Sequence, residues 1–437
     1  MWFHECTFYQ IYPLGYCGAE RENDFDKTRH RFSAIEERIA QIKDLGVGAV
    51  LFNPLFESGT HGYDTVDFYK VDRRLGTNGE FRDLVQKFHA AGIRVVLDGV
   101  FNHVGREFPP FRQVREKRED TFYKFWFDID FYGNNGYNDG FSYANWEGHD
   151  ELVRLRLENV DLQNYLMDAV RFWIDEFDID GLRLDVSYLL PEWFFELLRR
   201  TVREKKSDFF LMGEVIHIGN FAKNLSPERL DSCTNYECFK GMVSSFNTKN
   251  LFEIESSLTR LFSCQPWALY TGKSLFNFVD NHDVLRAYTA LQEKRDIFSL
   301  YTLLFTIPGI PCVYYGSEYG AEGDKSDGDY RLRPPVDSID REKIPALVEH
   351  IRKLCAIRRE HCALFSGSYE KKILNNRYMA FARSKEGETL FCCINIDENP
   401  CDFSLGQGAG RDLLTGEEVD LSRVFLPAHS SRIVRVR

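Results

Sequence analysis

The sequence has no uninterrupted apolar stretch long enough to cross a bilayer. Its longest runs, such as 179–186, are broken by charge, whereas a spanning helix needs about 20 apolar residues. It is also short of basic charge, with 55 Lys and Arg against 67 Asp and Glu and a net charge of -12. A protein that follows phosphate backbones needs clustered Lys and Arg, so nucleic acid is excluded as the partner class, and an uncharged polar substrate suits the balance better. The 11 cysteines are odd in number and show no CxxC pairs. That argues against a disulfide framework and leaves a zinc reading of Cys233 and Cys238 without a second ligand pair. Free thiols suit a reduced compartment, and a cytoplasmic location is expected. The stretch Met1-Trp-Phe-His-Glu enters a strand-like segment directly, so no secretory signal peptide and no membrane association are expected. Internal repeats and low-complexity tracts are missing as well.

What is present is rhythm. Over roughly the first three quarters of the 437 residues, short β-branched or aromatic runs alternate with longer segments of helical period, the pattern of repeated βα units. Strands are predicted at 7–12, 48–52, 94–101, 181–186, 209–215, 234–239, 275–279 and 311–315, and helices at 32–45, 81–91, 164–177 and 193–205. A (β/α)8 barrel and a doubly wound sheet both satisfy that alternation. Residues 104–150 interrupt it with a long stretch rich in Phe, Tyr, Trp, Gly and Asn, read as a subdomain inserted after the third strand. From about Ser366 the helical period is replaced by short alternating runs, read as a closing antiparallel β-domain. The expected division is a barrel of residues 1–103 and 151–365, an insert of 104–150, and a C-terminal β-sandwich of 366–437.

Acidic residues stand at the C-terminal ends of several predicted strands: Asp98, Asp185, Glu214 and Asp283. In a parallel α/β barrel those ends build the active site. One strand-end Asp is usually a cap or a loop ligand, but clustered carboxylates repel one another and are retained where a reaction needs them. Glycosidic cleavage with retention needs such a set. One carboxylate attacks the anomeric carbon, while a protonated carboxyl about 5–5.5 Å away releases the leaving oxygen. Burial and a negative neighbour would keep that second carboxyl protonated.

Four segments, Asp98-Gly-Val-Phe-Asn-His103, Gly181-Leu-Arg-Leu-Asp185, Gly213-Glu214-Val and Phe278-Val-Asp-Asn-His-Asp283, resemble in order the signature regions of the α-amylase family. His61-Gly-Tyr63-Asp64, the eighth-strand segment Gly309 to Glu318 and the tail Asp412 to Glu417 extend the resemblance along nearly the whole chain. It implies a (β/α)8 TIM barrel with an inserted subdomain after strand 3 and a C-terminal antiparallel β-domain. It also implies a glycoside hydrolase with Asp185 as nucleophile, Glu214 as general acid/base and Asp283 as the third carboxylate. Arg183, two residues before Asp185 and so on the same strand face, would keep the nucleophile ionised, with Asp98 as its support. His103 and His282 match histidines that bond sugar hydroxyls, Tyr63 matches a stacking platform, and Asp329 with Arg333 resembles a pair that contacts the next sugar outward.

Gly213-Glu-Val-Ile-His217 and Phe101-Asn-His-Val-Gly105 resemble the intracellular cyclomaltodextrinase, neopullulanase and maltogenic amylase group, although Val153 and Arg156 depart from that group's usual fifth signature. The expected substrate is an α-glucan oligosaccharide, and Thr60, where exo-acting members often carry Asp, favours an endo or short-oligosaccharide mode. Asn102 occupies a position that is a calcium ligand in many members. No matched cluster of carboxylates accompanies it, and calcium takes six to eight oxygens, so no metal or other cofactor is expected. The resemblance carries no expectation for oligomeric state. A transglycosylase using the same covalent intermediate is the alternative activity, and a non-catalytic scaffold is opposed by the presence of all three carboxylates. Trp126, Trp146 and Phe131 are expected chiefly as the insert's own small core, with stacking on outer sugars as the alternative.

Overall fold

In the computed structural model, which describes residues 1–326 and 328–437, eight parallel strands form the central sheet. They are β1 (Phe8–Ile11), β2 (Ala49–Phe52), β3 (Arg94–Gly99), β4 (Gly181–Leu184), β5 (Phe210–Gly213), β6 (Ser232–Cys233), β7 (Phe276–Asn277) and β8 (Ile310–Tyr314). Neighbours run 6-5-4-3-2-1-8-7, and an isolated parallel bridge between Thr234 and Phe276 joins β6 to β7 and closes the ring. The fold is a TIM barrel, as expected.

Every residue of β1, β2, β4, β5 and β8 is buried, because helices cover the outer face while side chains fill the inner one. Alternation decides what fills it. Phe8, Leu51, Val96, Phe210, Met212 and Phe276 form the apolar interior. Two residues further along the same faces come Gln10, Asn53, Asp98 and Glu214, and on β4 Arg183 is followed by Asp185. The residue spacing that packs the barrel's middle therefore lifts a polar layer to its C-terminal end.

The surrounding helices begin where capping chemistry allows. The helix α1 (Asn78–Ala90) starts at Thr77 in a capping box with Glu80. Asn159 caps α2 (Val160–Phe177) by accepting from the Leu162 amide at 3.0 Å. Buried Trp173 of α2 stacks on Phe56 with ring centroids 4.4 Å apart.

Two local expectations fail. The run 234–239 is not a strand: β6 ends at Cys233, and the Asn235 side chain accepts from the Cys238 amide at 3.1 Å, starting the helix α3 (Tyr236–Thr248). The helix predicted over 32–45 is split into Ser33–Glu36 and Ile39–Asp44, with Arg38 between them at φ -109° and ψ 0°.

The segment after β3 forms a three-stranded sheet of His103–Gly105, His149–Arg154 and Asn145–Trp146 over the C-terminal end of the barrel. The chain finishes in a six-stranded antiparallel sheet and a separate two-stranded pair, Cys401–Phe403 with Val424–Leu426. They enclose a second core that includes Ala382, Phe391, Cys393, Val424 and Val434. Adjacent Cys392 and Cys393 divide between the barrel-side core and this second core, as alternation along a strand requires. All 11 cysteines are free thiols.

Candidate active site

A cleft of about 590 Å³ opens at the C-terminal end of the barrel, lined among others by Tyr63, His103, Asp185, Glu214, Asp283, Asp329 and Arg333. Arg183 and His282 stand directly behind this lining. The nine residues expected to carry catalysis or substrate binding therefore meet in one place.

Arg183 is the buried hub. Its Nη1 lies 2.5 Å from Asp98 Oδ2 and 3.4 Å from Asp185 Oδ1, and its Nη2 lies 2.9 Å from Glu214 Oε1. Burial works against the guanidinium, but Asp98 and Glu214 outweigh it and hold the charge firmly. The expected Asp98 support is present, yet Arg183 grips Glu214 more closely than Asp185. Glu214 Oε2 also accepts from the Val186 amide at 2.9 Å. Asp185 is thus the least compensated of the three carboxyls. Burial first, and the neighbouring Glu214 second, push it well above the usual carboxylate range against the pull of Arg183.

Asp283 has the opposite environment. Burial alone would raise it, but His282, Arg333 and Arg183 outweigh that and hold it well below the usual range. His282 Nε2 is 3.0 Å from Asp283 Oδ2, and Arg333 Nη2 is 3.0 Å from Asp283 Oδ1. The same Arg333 nitrogen reaches Asp329 Oδ2 at 3.1 Å, while its Nε donates to the His282 carbonyl at 3.0 Å.

The histidine tautomers follow from their neighbours. Gln10 Nε2, a donor only, lies 3.0 Å from His282 Nδ1, which leaves the proton on Nε2, facing Asp283. Asn102 Nδ2 likewise lies 3.1 Å from His103 Nδ1. His103 Nε2 then carries the proton, is buried without a hydrogen-bond partner among the described residues, and sits 3.9 Å from Asp185 Oδ2. Burial lowers His103 to about 3, so it stays neutral and offers one N–H to whatever enters the cleft. The Tyr63 ring lies parallel to His282 with centroids 5.7 Å apart, and its hydroxyl donates to Asp98 Oδ2 at 3.2 Å.

Several groups escaped the sequence reading. Asn53 Nδ2 donates to Asp98 Oδ2 and to the Tyr63 hydroxyl, both at 3.2 Å, and Gln10 Nε2 donates to Asn53 Oδ1 at 2.8 Å. Both are polar residues ending apolar strands, the one sequence signal that marks them. Tyr12 also stacks on His282, with ring centroids 5.9 Å apart. Trp126 packs edge-on against Tyr123 at 5.0 Å and tilted against Tyr165 of α2 at 5.3 Å, in a core continuous with that of the barrel, and Phe131 packs on Phe141 at 5.9 Å. Trp146 differs from both: it lines the cleft and stacks on His149 at 5.2 Å, joined there by His61, Glu147, Tyr188 and Ile216.

Thr60 donates its hydroxyl to Asp64 at 3.0 Å. Among the described residues, the one group of three carboxylate or imidazole ligands that comes together is Glu293, Glu398 and His429. That group lies outside the cleft lining, and Arg295 already bridges its members.

The family model for the alpha amylase catalytic domain matches residues 10–363. The chain is 31 % identical to neopullulanase 2 of Thermoactinomyces vulgaris, covering 96 % of this chain and 74 % of that protein. To a cyclomaltodextrinase of a Bacillus species it is 30 % identical, over 91 % of this chain and 74 % of the other. Among solved structures it is similar to a cyclic alpha-maltosyl-(1→6)-maltose hydrolase of Arthrobacter globiformis, with a TM-score of 0.84, 25 % identity and full coverage of both chains.

Proposed function

Because the chain belongs to the α-amylase family of glycoside hydrolases, we propose that it cleaves α-glucosidic bonds, mainly α-1,4, in maltooligosaccharides, maltodextrins or cyclodextrins with retention of configuration. The observation that carries this reading is the grouping of Asp185 and Glu214 on adjacent strands around the single Arg183 guanidinium, with Asp283 held ionised beside them.

The chemistry follows from that arrangement. With a glucosyl unit seated, Glu214 acts as the acid and gives its proton to the glycosidic oxygen as Asp185 attacks C1. The bond from C1 to the leaving sugar breaks and a C1–O bond to Asp185 forms. Water then adds to C1, the bond to Asp185 breaks, and Glu214 takes the water's proton. Arg183, within 3.4 Å of both carboxyls, stays close to the negative charge as it moves between them. Asp283, ionised throughout, holds ring hydroxyls and favours the positive charge that builds at C1. His103 donates to a hydroxyl, His282 orients Asp283, Tyr63 stacks on the sugar face, and Arg333 with Asp329 meets the next sugar outward. The scheme runs through carboxylates alone.

Short and cyclic substrates are favoured by the names of the relatives. No helix among the described residues is long and apolar enough to cross a membrane, and the 11 free thiols suit a cytoplasmic setting. The test is a product profile on linear maltodextrin, pullulan and β-cyclodextrin. Glucose and maltose released with α-configuration are expected. Longer oligosaccharides dominating at high maltotriose would make transfer the main activity, and release of β-anomers would overturn retention.

A further inference from the structure

One wall of the cleft comes from the inserted subdomain. His149 pairs with Trp146 across a two-residue turn formed by Glu147 and Gly148. Both turn residues have positive φ, +48° and +92°, the pattern of a type I′ hairpin. Gly is at ease in that conformation. Glu is not, since Asn, Asp and Gly are the residues that adopt it readily. The sequence therefore tolerates strain at position 147, and such strain persists where a side chain has work to do.

The direction of the side chain indicates the work. Glu147 Oε1 accepts from the Tyr188 hydroxyl at 3.2 Å, and both residues line the cleft. Tyr188 lies in the short turn Ser187–Leu189 just beyond Asp185. That turn is fastened to Glu214: the Val186 amide donates to Glu214 Oε2 at 2.9 Å and the Ser187 hydroxyl to the Glu214 carbonyl at 2.7 Å. Glu147 and Tyr188 thus stand on the Glu214 side, whereas Tyr63, His282 and Arg333 gather around Asp283. A proton donor must face the leaving oxygen, so the sugar that departs lies on the Glu214 side.

We propose that Glu147 is a specificity-determining residue for that sugar, its carboxylate accepting hydroxyl hydrogen bonds beside the Tyr188 and Trp146 rings. The proposal rests on the function proposed above. The same contact serves an incoming acceptor. When a sugar hydroxyl replaces water, its oxygen bonds to C1, the C1–O bond to Asp185 breaks, and its proton goes to Glu214.

The experiment compares two substrates. Maltotriose places a sugar on the leaving side, while α-glucosyl fluoride places only fluoride there. Glu147→Asn is expected to lower kcat/KM on maltotriose about tenfold, at least fivefold more than on α-glucosyl fluoride, and to reduce the share of transfer products. It should at the same time raise Tm by about 2 °C, because Asn relieves the turn. Glu147→Gln, which keeps the length and loses the charge, should fall between Glu147→Asn and the wild type on maltotriose. Equal kcat/KM on maltotriose for wild type and both variants would overturn the proposal while leaving the function intact. Equal losses on both substrates would also overturn it. A wild type that cleaves neither substrate would sink both readings.

Discussion

The two ends of the barrel both bury arginines, and they treat them in opposite ways. At the C-terminal end Arg183 is surrounded by Asp98, Asp185 and Glu214. At the other end Arg358 and Arg383, both fully buried, have backbone carbonyls as their hydrogen-bond partners. Arg358 donates to the carbonyls of His4, Phe305, Gly309 and Leu364, and Arg383 to those of Thr306, Gly367 and Ser368. Burial, with Arg383 nearby, lowers Arg358 to about 9, whereas Arg183 is driven up by its carboxylates. Carbonyls are fixed, neutral partners that tie chain segments together. Carboxylates can exchange protons and form bonds. One residue type thus performs stapling at one end and charge management at the other, and the partner decides which.

That contrast can be broken at either end. The largest effect is expected at the carboxylates: Asp185→Asn and Glu214→Gln should each lower kcat on maltotriose by about 10⁴-fold or more, with circular dichroism unchanged. Near-native turnover in either variant would overturn their assignment. At the carbonyl end, Arg358→Met leaves several buried acceptors without donors and should cost about 3 kcal/mol in urea unfolding. The kcat/KM of the molecules that remain folded should stay within about twofold. A loss of activity without a loss of stability would mean the two ends are not separable.

The smallest effect sharpens the electrostatics. Asp185 has a folded-state pKa raised above its unfolded value, so at pH 7 the folded chain resists an ionisation that the unfolded chain undergoes freely. That penalty is present above the unfolded value of about 3.9 and disappears below it. Asp185→Asn should therefore raise Tm by a few degrees at pH 7, and the gain should shrink toward pH 4. A Tm difference that does not change with pH would show that Arg183 fully compensates the charge.

Much of this site was legible because strand alternation is strict. Asp98, Arg183, Asp185 and Glu214 each end an apolar strand at an even step from an inward-facing residue, a pattern carried by residue spacing alone. Gln10 and Asn53 obey the same rule, yet their partner His282 is more than 200 residues away, and only closure of the ring brings them together. The misplaced sixth strand has a different cause. Thr234, Tyr236 and Phe239 carry strand-forming side chains, but one amide cap at Asn235 outweighs that propensity. Trp146 and Glu147 could not be separated from the insert's other aromatic and polar residues, because the direction of a hairpin is a tertiary property.

In and just behind the cleft wall, four carboxyls (Asp98, Asp185, Glu214 and Asp283) stand against two guanidinium groups, Arg183 and Arg333. The cleft therefore behaves as an ion exchanger one molecule in size. A neutral sugar gains little from that field on entering, and a carbon turning positive within it gains a great deal. By the same argument a sugar-shaped amine, protonated in water, brings the missing charge with it and should outcompete the natural ligand for this cleft.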